Sequence, residues 1–214
     1  MARDRDHDLI LFGATGFTGR LVAEYLLRHA PRDLRWALAG RSRAKLAAVR
    51  DALAALDARA AALPLVIADA HDEPALTALA RTTTAVVTTV GPYLAHGAAL
   101  VAACVAAGTA YCDLTGEVPF VRQMIDRHHA AAVASGARIV HCCGFDSVPS
   151  DLGVWCLQRD LEAQAGRGAQ GRATLRAALP FAGVAQRIPQ AEQLFTSVVV
   201  SVSHPFAALL SQSP

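Results

Sequence analysis

Short apolar runs alternate with longer amphipathic stretches along most of this chain. Leu9-Ile10-Leu11-Phe12 is a continuous apolar run closed by Gly13. Such a run suits a strand covered on both faces. Residues 17–29 follow with helical periodicity, and Leu21, Val22, Tyr25 and Leu26 are expected to share the buried face before Pro31 ends the helix. A second strand is predicted over 34–39, stopped by Gly40, with Ser42 capping a helix from Arg43 to about Ala58. A third strand over 63–68 ends at Asp69, and a short helix over 73–81 comes next. The β-branched run 85–90 reads as a fourth strand before Gly91-Pro92. A helix over 98–107 stops at Gly108, a fifth strand covers 110–114, and a long helix over 117–135 stops at Gly136. A sixth strand over 138–142 precedes Gly144-Phe145-Asp146.

Strands separated by helices in this order predict right-handed crossovers and an α/β, Rossmann-type, doubly wound parallel sheet. In such sheets ligands lie at the carboxyl ends of the strands, near the point where strand order reverses. The regular alternation fades after about Arg159. Residues 163–171 are rich in Gly, Ala and Gln, as a linker is, and 197–203 alternate valine and serine like a half-exposed strand. We therefore expect a dinucleotide-binding domain over 1–158 and an incomplete, partly irregular second domain over 159–214.

The segment with the clearest chemistry is Gly13-Ala14-Thr15-Gly16-Phe17-Thr18-Gly19, which leaves the first strand and opens the first helix. Gly13 allows the tight turn, Gly16 lets backbone approach a diphosphate, and Gly19 lets helix and strand pack closely. The helix tip then offers free N–H groups and partial positive charge to phosphates. The spacing G-x-x-G-x-x-G is weak alone, since a glycine-rich turn need hold nothing. Its place between strand and helix, in a repeating βαβ pattern, is what favours a dinucleotide.

The second strand end selects the dinucleotide. NAD binders place an acid there for the ribose hydroxyls, whereas Gly40-Arg41-Ser42-Arg43 has none. Arg41 suits a 2′-phosphate, and Ser42 and Arg43 add donors, so the expected cofactor is NADP(H). The plainer alternative is a pair of solvated arginines at a helix start. Asp69 is placed for the adenine edge or for capping a helix. Val90-Gly91-Pro92-Tyr93 ends the fourth strand where a nicotinamide ribose lies, or forms a Gly-Pro turn over a packed tyrosine.

Composition narrows the field. The chain has 214 residues, 53% hydrophobic, with a formal net charge of +2, which gives no electrostatic case for nucleic acid. Lys45 is the sole lysine, which excludes a lysine Schiff base deeper in the chain and a phosphate loop ending in Lys-Ser or Lys-Thr. It also excludes the Tyr-x-x-x-Lys pair of short-chain dehydrogenases and of epimerases on the same fold. The five cysteines are odd in number and form no C-x-x-C pair, so reduced thiols in a cytoplasmic setting are expected and no structural metal. No apolar window reaches the roughly 18 residues of a membrane span. Peripheral membrane association stays open.

Several separated stretches resemble the saccharopine dehydrogenase-like oxidoreductases. They are Ile10-Leu11-Phe12-Gly13-Ala14-Thr15-Gly16-Phe17-Thr18-Gly19-Arg20, Leu38-Ala39-Gly40-Arg41-Ser42 and Thr89-Val90-Gly91-Pro92-Tyr93. Tyr111-Cys112-Asp113-Leu114-Thr115-Gly116-Glu117 and Cys143-Gly144-Phe145-Asp146-Ser147-Val148-Pro149-Ser150-Asp151-Leu152-Gly153 continue the match in order. The resemblance spans about the first three quarters of the chain and is strongest to the actinobacterial trans-acting enoyl reductases. It implies an NADP-binding domain followed by a mixed-sheet domain. It also implies reduction of a carbon–carbon double bond on a small-molecule or carrier-bound lipid or polyketide substrate during glycolipid assembly. Members of that family are considerably longer, which implies truncation or a frameshifted gene end here. A non-catalytic NADP-binding module, or an inactive fragment of such an enzyme, is the alternative.

Enoyl reduction needs a proton donor as well as a hydride. Tyr93 and Asp146 are the candidates, with Ser147 as an orienting hydroxyl, although a helix-capping turn before Val148-Pro149 is the plainer reading of Asp146-Ser147. His128 and His129 are adjacent on a helix and point in different directions, as surface residues do. Cys142 and Cys143 read as buried, inert thiols. His141 has no evident carboxylate partner in sequence and receives no role.

Overall fold

A computed structural model describes residues 5–165. In chain order the elements are β1 (His7–Phe12), α1 (Phe17–His29), β2 (Trp36–Gly40), α2 (Arg43–Leu56), a 3-10 turn (Ala58–Ala62) and β3 (Leu65–Ile67). Then come α3 (Glu73–Thr82), β4 (Thr83–Thr88), α4 (Tyr93–His96), α5 (Ala98–Ala107), β5 (Ala110–Asp113), α6 (Val118–Ser135), β6 (Ile139–Val140) and α7 (Val148–Ala165).

The six strands are parallel in the order β3-β2-β1-β4-β5-β6, so the order reverses between β1 and β4. This is the doubly wound α/β sheet expected from the alternation. Side chains alternate across it with a period of two. Ile10 and Phe12 of β1 and Ala37 and Ala39 of β2 join Leu76, Leu100 and Phe120 on one face. Leu11, Trp36 and Leu38 join Ala23, Leu27, Leu46 and Leu53 on the other. Helices therefore cover both faces, and every residue of β2 is buried.

Some local expectations are corrected. Helix α1 buries Gly19, Ala23 and Leu27, while Leu21 and Tyr25 are exposed. The small Gly19 side brings the helix against the β1 turn, and that contact rather than the largest side chains sets its rotation. Strand β4 begins two residues early, where the buried Thr83 bonds its hydroxyl to Ala85 O. It also ends early, because Val90 N–H turns to Thr88 Oγ1 (3.2 Å). The 3-10 turn and α4 lack the length for a periodic signal and were not anticipated. Residues 163–165, expected in a linker, continue α7. The remaining linker residues, the strand over 197–203 and nearly all of the expected second domain lie outside the described residues.

Contacts divide the chain after Cys143. On the carboxyl side of that division, Ser147 N–H donates to Gly144 O (3.1 Å) and Asp151 N–H to Ser147 O (2.9 Å), which starts α7. On the amino side, Arg5 inserts its guanidinium among Ala80 O, Ala107 O and Thr109 Oγ1, linking α3, α5 and the start of β5.

Candidate nucleotide-binding site

The carboxyl edge gathers the ends of β1, β2 and β4 around the switch point. Gly13 sits at φ +92°, a conformation that glycine adopts readily. Its N–H donates to Ala39 O (2.9 Å) and its carbonyl accepts from Gly16 N–H (3.0 Å) and Thr89 Oγ1 (3.2 Å). A Cβ on Gly13 would stand 2.7 Å from Thr89 Oγ1 and 2.8 Å from Val90 Cγ2. A Cβ on Gly19 would stand 2.2 Å from Gly13 O. These two glycines are demanded by packing. Gly16 is different: it is exposed, and its nearest neighbour to an added Cβ is Gly13 O at 3.4 Å. The protein's own packing therefore does not demand a glycine there.

Gly16 is the N-cap of α1, no side chain caps it, and the first turn carries no acid. The leading N–H groups of a helix have no intrahelical acceptors and are available to an anion. Ala14 is buried, Thr15 half-buried, and Thr18 exposed. Phe17 is 83% exposed and so does not fold back over the tip. Beside this tip, β2 ends at the buried Gly40, and the exposed Arg41 makes no ion pair among the described residues. Ser42 caps α2 by accepting from Lys45 N–H (3.4 Å), which leaves its hydroxyl hydrogen free to donate. An uncapped tip next to an unpaired guanidinium suits a diphosphate with a further phosphate one strand away.

Asp69, past the end of β3, accepts from His71 N–H (3.0 Å) in a tight turn, while the cap of α3 is Asp72, accepting from Ala75 N–H (3.0 Å). The helix-capping alternative for Asp69 is therefore replaced by Asp72. Val90 touches the space behind Gly13, and Gly91 and Pro92 are exposed. Tyr93 was expected beside a nicotinamide; the structure buries it to 4% exposure. Its hydroxyl donates to Thr88 O (3.1 Å) and accepts from Leu114 N–H (3.4 Å), tying the ends of β4 and β5 together. Burial pushes its phenol up to about 12. Asp146, the other proposed proton donor, is an exposed residue on the turn before α7, with its backbone carbonyl accepting from Ser150 Oγ (3.4 Å).

Three groups escaped sequence reading. Glu117 caps the four-residue α4, accepting from Tyr93 N–H (2.6 Å) and Leu94 N–H (2.9 Å). Asp113 is buried at the end of β5, where Tyr111 OH donates to Oδ2 (2.9 Å) and Thr115 N–H to Oδ1 (3.1 Å). His141 does have a carboxylate partner, Asp113 Oδ2 at 2.6 Å from Nδ1. An acid at a strand end was the available signal, but the partners are 28 residues apart and meet only through strand pairing.

Cys143 is exposed, which corrects the expectation of a buried thiol. A hydrogen bond from Cys112 lowers its thiol from the ordinary value and raises that of Cys112, whereas burial pushes Cys104 up to about 12. Thiolate is the reactive form, so iodoacetamide should label Cys143 well before Cys112 or Cys104. Peptide mapping by mass spectrometry checks this order, and equal labelling of Cys104 would overturn it.

Residues 9–140 match the family of saccharopine dehydrogenase NADP-binding domains. A Mycobacterium tuberculosis protein provisionally named a trans-acting enoyl reductase is 55% identical over 156 residues, covering 73% of this chain and 36% of the relative. A trans-acting enoyl reductase of Mycobacterium leprae is 52% identical over 155 residues, covering 72% of this chain and 36% of the relative. The chain thus spans about a third of the length of these relatives. The fold is also that of saccharopine dehydrogenase (L-Glu forming) from Saccharomyces cerevisiae, with TM-score 0.57 at 18% identity over 75% of this chain and 32% of that one. Matched along its glycine turn, its strand ends and most of its described length, this chain belongs to the saccharopine dehydrogenase NADP-binding-domain family.

Proposed function

We propose that this chain is the NADP(H)-binding part of an oxidoreductase that reduces a carbon–carbon double bond on a carrier-bound lipid or polyketide intermediate. The observation that carries the cofactor half of this reading is the uncapped α1 tip at Gly16 with the unpaired Arg41 beside it. The names of the mycobacterial relatives support the reaction half. When bound, NADPH supplies a hydride to the double bond. The N–H groups of the α1 tip hold its diphosphate and Arg41, helped by Ser42, holds the 2′-phosphate. Asp69 meets the adenine edge, and Val90, Gly91 and Pro92 lie along the ribose. Tyr93 serves from inside the fold by holding the β4 and β5 ends in register. Among the described residues no helix is long and apolar enough to cross a membrane. A cytoplasmic setting, with peripheral contact to lipid, completes the proposal.

Titration with NADPH and NADH tests the cofactor assignment. NADPH should bind more tightly, and Arg41→Ala should weaken NADPH by about tenfold to a hundredfold, the worth of one or two charge-assisted hydrogen bonds. NADH affinity should hardly change. Equal affinities in the unmodified protein would sink the assignment. The second reading, a non-catalytic NADP-binding module, rests on the cofactor cradle alone: the α1 tip and Arg41 stand ready for phosphates, whereas Tyr93 is buried and Asp146 lies exposed on a turn. Steady NADPH oxidation with an enoyl-thioester supports the enzyme, and binding without turnover supports the module.

A further inference from the structure

We propose that Asp113 and His141 form a proton-carrying pair at the carboxyl edge of the sheet, with His141 Nε2 as the atom that delivers the proton. The proposal rests on the reductase reading above and supplies the proton donor that reading needs.

The pair is built by strand register. Cys112 of β5 pairs with Val140 of β6, so the residues that follow, Asp113 and His141, leave the same edge side by side. The Asp113 side chain is fully buried and surrounded by donors: Tyr111 OH and His141 Nδ1 at Oδ2, Thr115 N–H and Cys142 N–H (3.0 Å) at Oδ1. Since Oδ2 accepts, Nδ1 carries the hydrogen, which leaves Nε2 as the working nitrogen. The ring is held edge-on against Tyr111 (centroids 5.7 Å) and Phe120 (5.4 Å), so its direction is set on three sides.

Nε2 itself has no hydrogen-bond partner among the described residues, yet it is not an enclosed, unsatisfied atom; the sole such side-chain atom described is Arg50 Nε. The nitrogen therefore reaches solvent through the 8% of the side chain left exposed. Carboxylate, oriented imidazole and an open ring nitrogen on the ligand-binding edge of a doubly wound sheet make a general acid–base arrangement. A buried carboxylate–imidazole pair is a weak device for stability alone, which is a further reason to look for chemistry.

The step balances within the pair and the substrate. The reacting form of His141 carries hydrogens on both ring nitrogens. The electron pair on the substrate carbon beside the thioester carbonyl takes the Nε2 hydrogen, forming a C–H bond as the Nε2–H bond breaks. The imidazole is left neutral with Nδ1–H on Asp113, and solvent returns a proton to Nε2 through the exposed edge.

The test is nitrogen-15 spectroscopy of the histidine rings in this chain, with His141 assigned by its loss in His141→Gln. The neutral ring should carry its hydrogen on Nδ1, and NADPH should shift the Nε2 signal along with the Gly13–Thr18 amides. Hydrogen on Nε2 instead, or an unmoved Nε2 signal while those amides shift, overturns the pair and leaves the cofactor reading intact. If the amides do not move either, the cofactor reading fails and the proposal falls with it. With an enoyl-pantetheine thioester, His141→Gln should cut NADPH oxidation by about 10²-fold or more while NADPH affinity stays within about twofold. Retained rate counts against the pair, and so does an unmodified chain that binds NADPH without turnover.

Discussion

Gly19→Ala should destabilise the protein by about 3 kcal/mol, seen as a fall of roughly 6–12 °C in the thermal midpoint. The added Cβ would stand 2.2 Å from Gly13 O and 2.9 Å from Ala14 Cα, which are backbone atoms of the turn it packs against. Relief requires α1 to move off β1, and Ala23 and Leu27 then lose their contact with the sheet. The informative control is Gly16→Ala. Its Cβ meets only Gly13 O, at 3.4 Å, so the thermal midpoint should stay close to that of the parent. On the proposed cofactor placement, NADPH binding should nevertheless weaken by about tenfold or more, because the methyl group would occupy the space in which a diphosphate would approach the helix tip. Calorimetry and a cofactor titration on both variants separate the two glycines. Equal loss of stability in both would mean that Gly16, too, is merely a packing residue.

Asp113→Ala should be at least as damaging, at about 3–5 kcal/mol, for an electrostatic rather than a steric reason. The carboxylate satisfies Tyr111 OH, His141 Nδ1 and the N–H groups of Thr115 and Cys142. Its removal leaves these donors facing a cavity between the β5 end and the β6 end. Burial, the largest cause of the raised Tyr111 phenol, persists in the variant, so this tyrosine does not ionise to compensate. Urea unfolding of the variant measures the loss, and a change under about 1 kcal/mol would show that water fills the site without cost. Asp113→Asn is the milder companion, since it keeps the volume and one acceptor oxygen.

These effects bear on how local chemistry becomes a site. Gly13, Gly16 and Gly19 stand within one turn, so their spacing carries meaning before any tertiary contact forms. The same holds for Gly40-Arg41-Ser42, where the strand end and helix cap are neighbours in sequence. Gly108 and Gly136, both at positive φ, likewise mark the ends of α5 and α6 in the sequence. Tyr93 was harder. Its neighbours Gly91 and Pro92 announce a turn, but nothing local tells whether the ring faces a cofactor or the sheet. Phe120 and Thr88 decide that, at a ring distance of 5.8 Å and a hydroxyl bond of 3.1 Å.

By itself the sequence determined the alternation of strands and helices, the parallel sheet and the glycine-rich turn between β1 and α1, and its second strand end raised the expectation of NADP(H). All of these depend on residues within a turn or two of one another, where periodicity and backbone freedom act directly. Only the tertiary structure decided the rotation of α1, the capping of α4 by Glu117, the inward turn of Tyr93 and the meeting of Asp113 with His141. Each of these joins residues brought close by sheet register or helix packing, and the free energy of such contacts leaves no periodic trace in the chain.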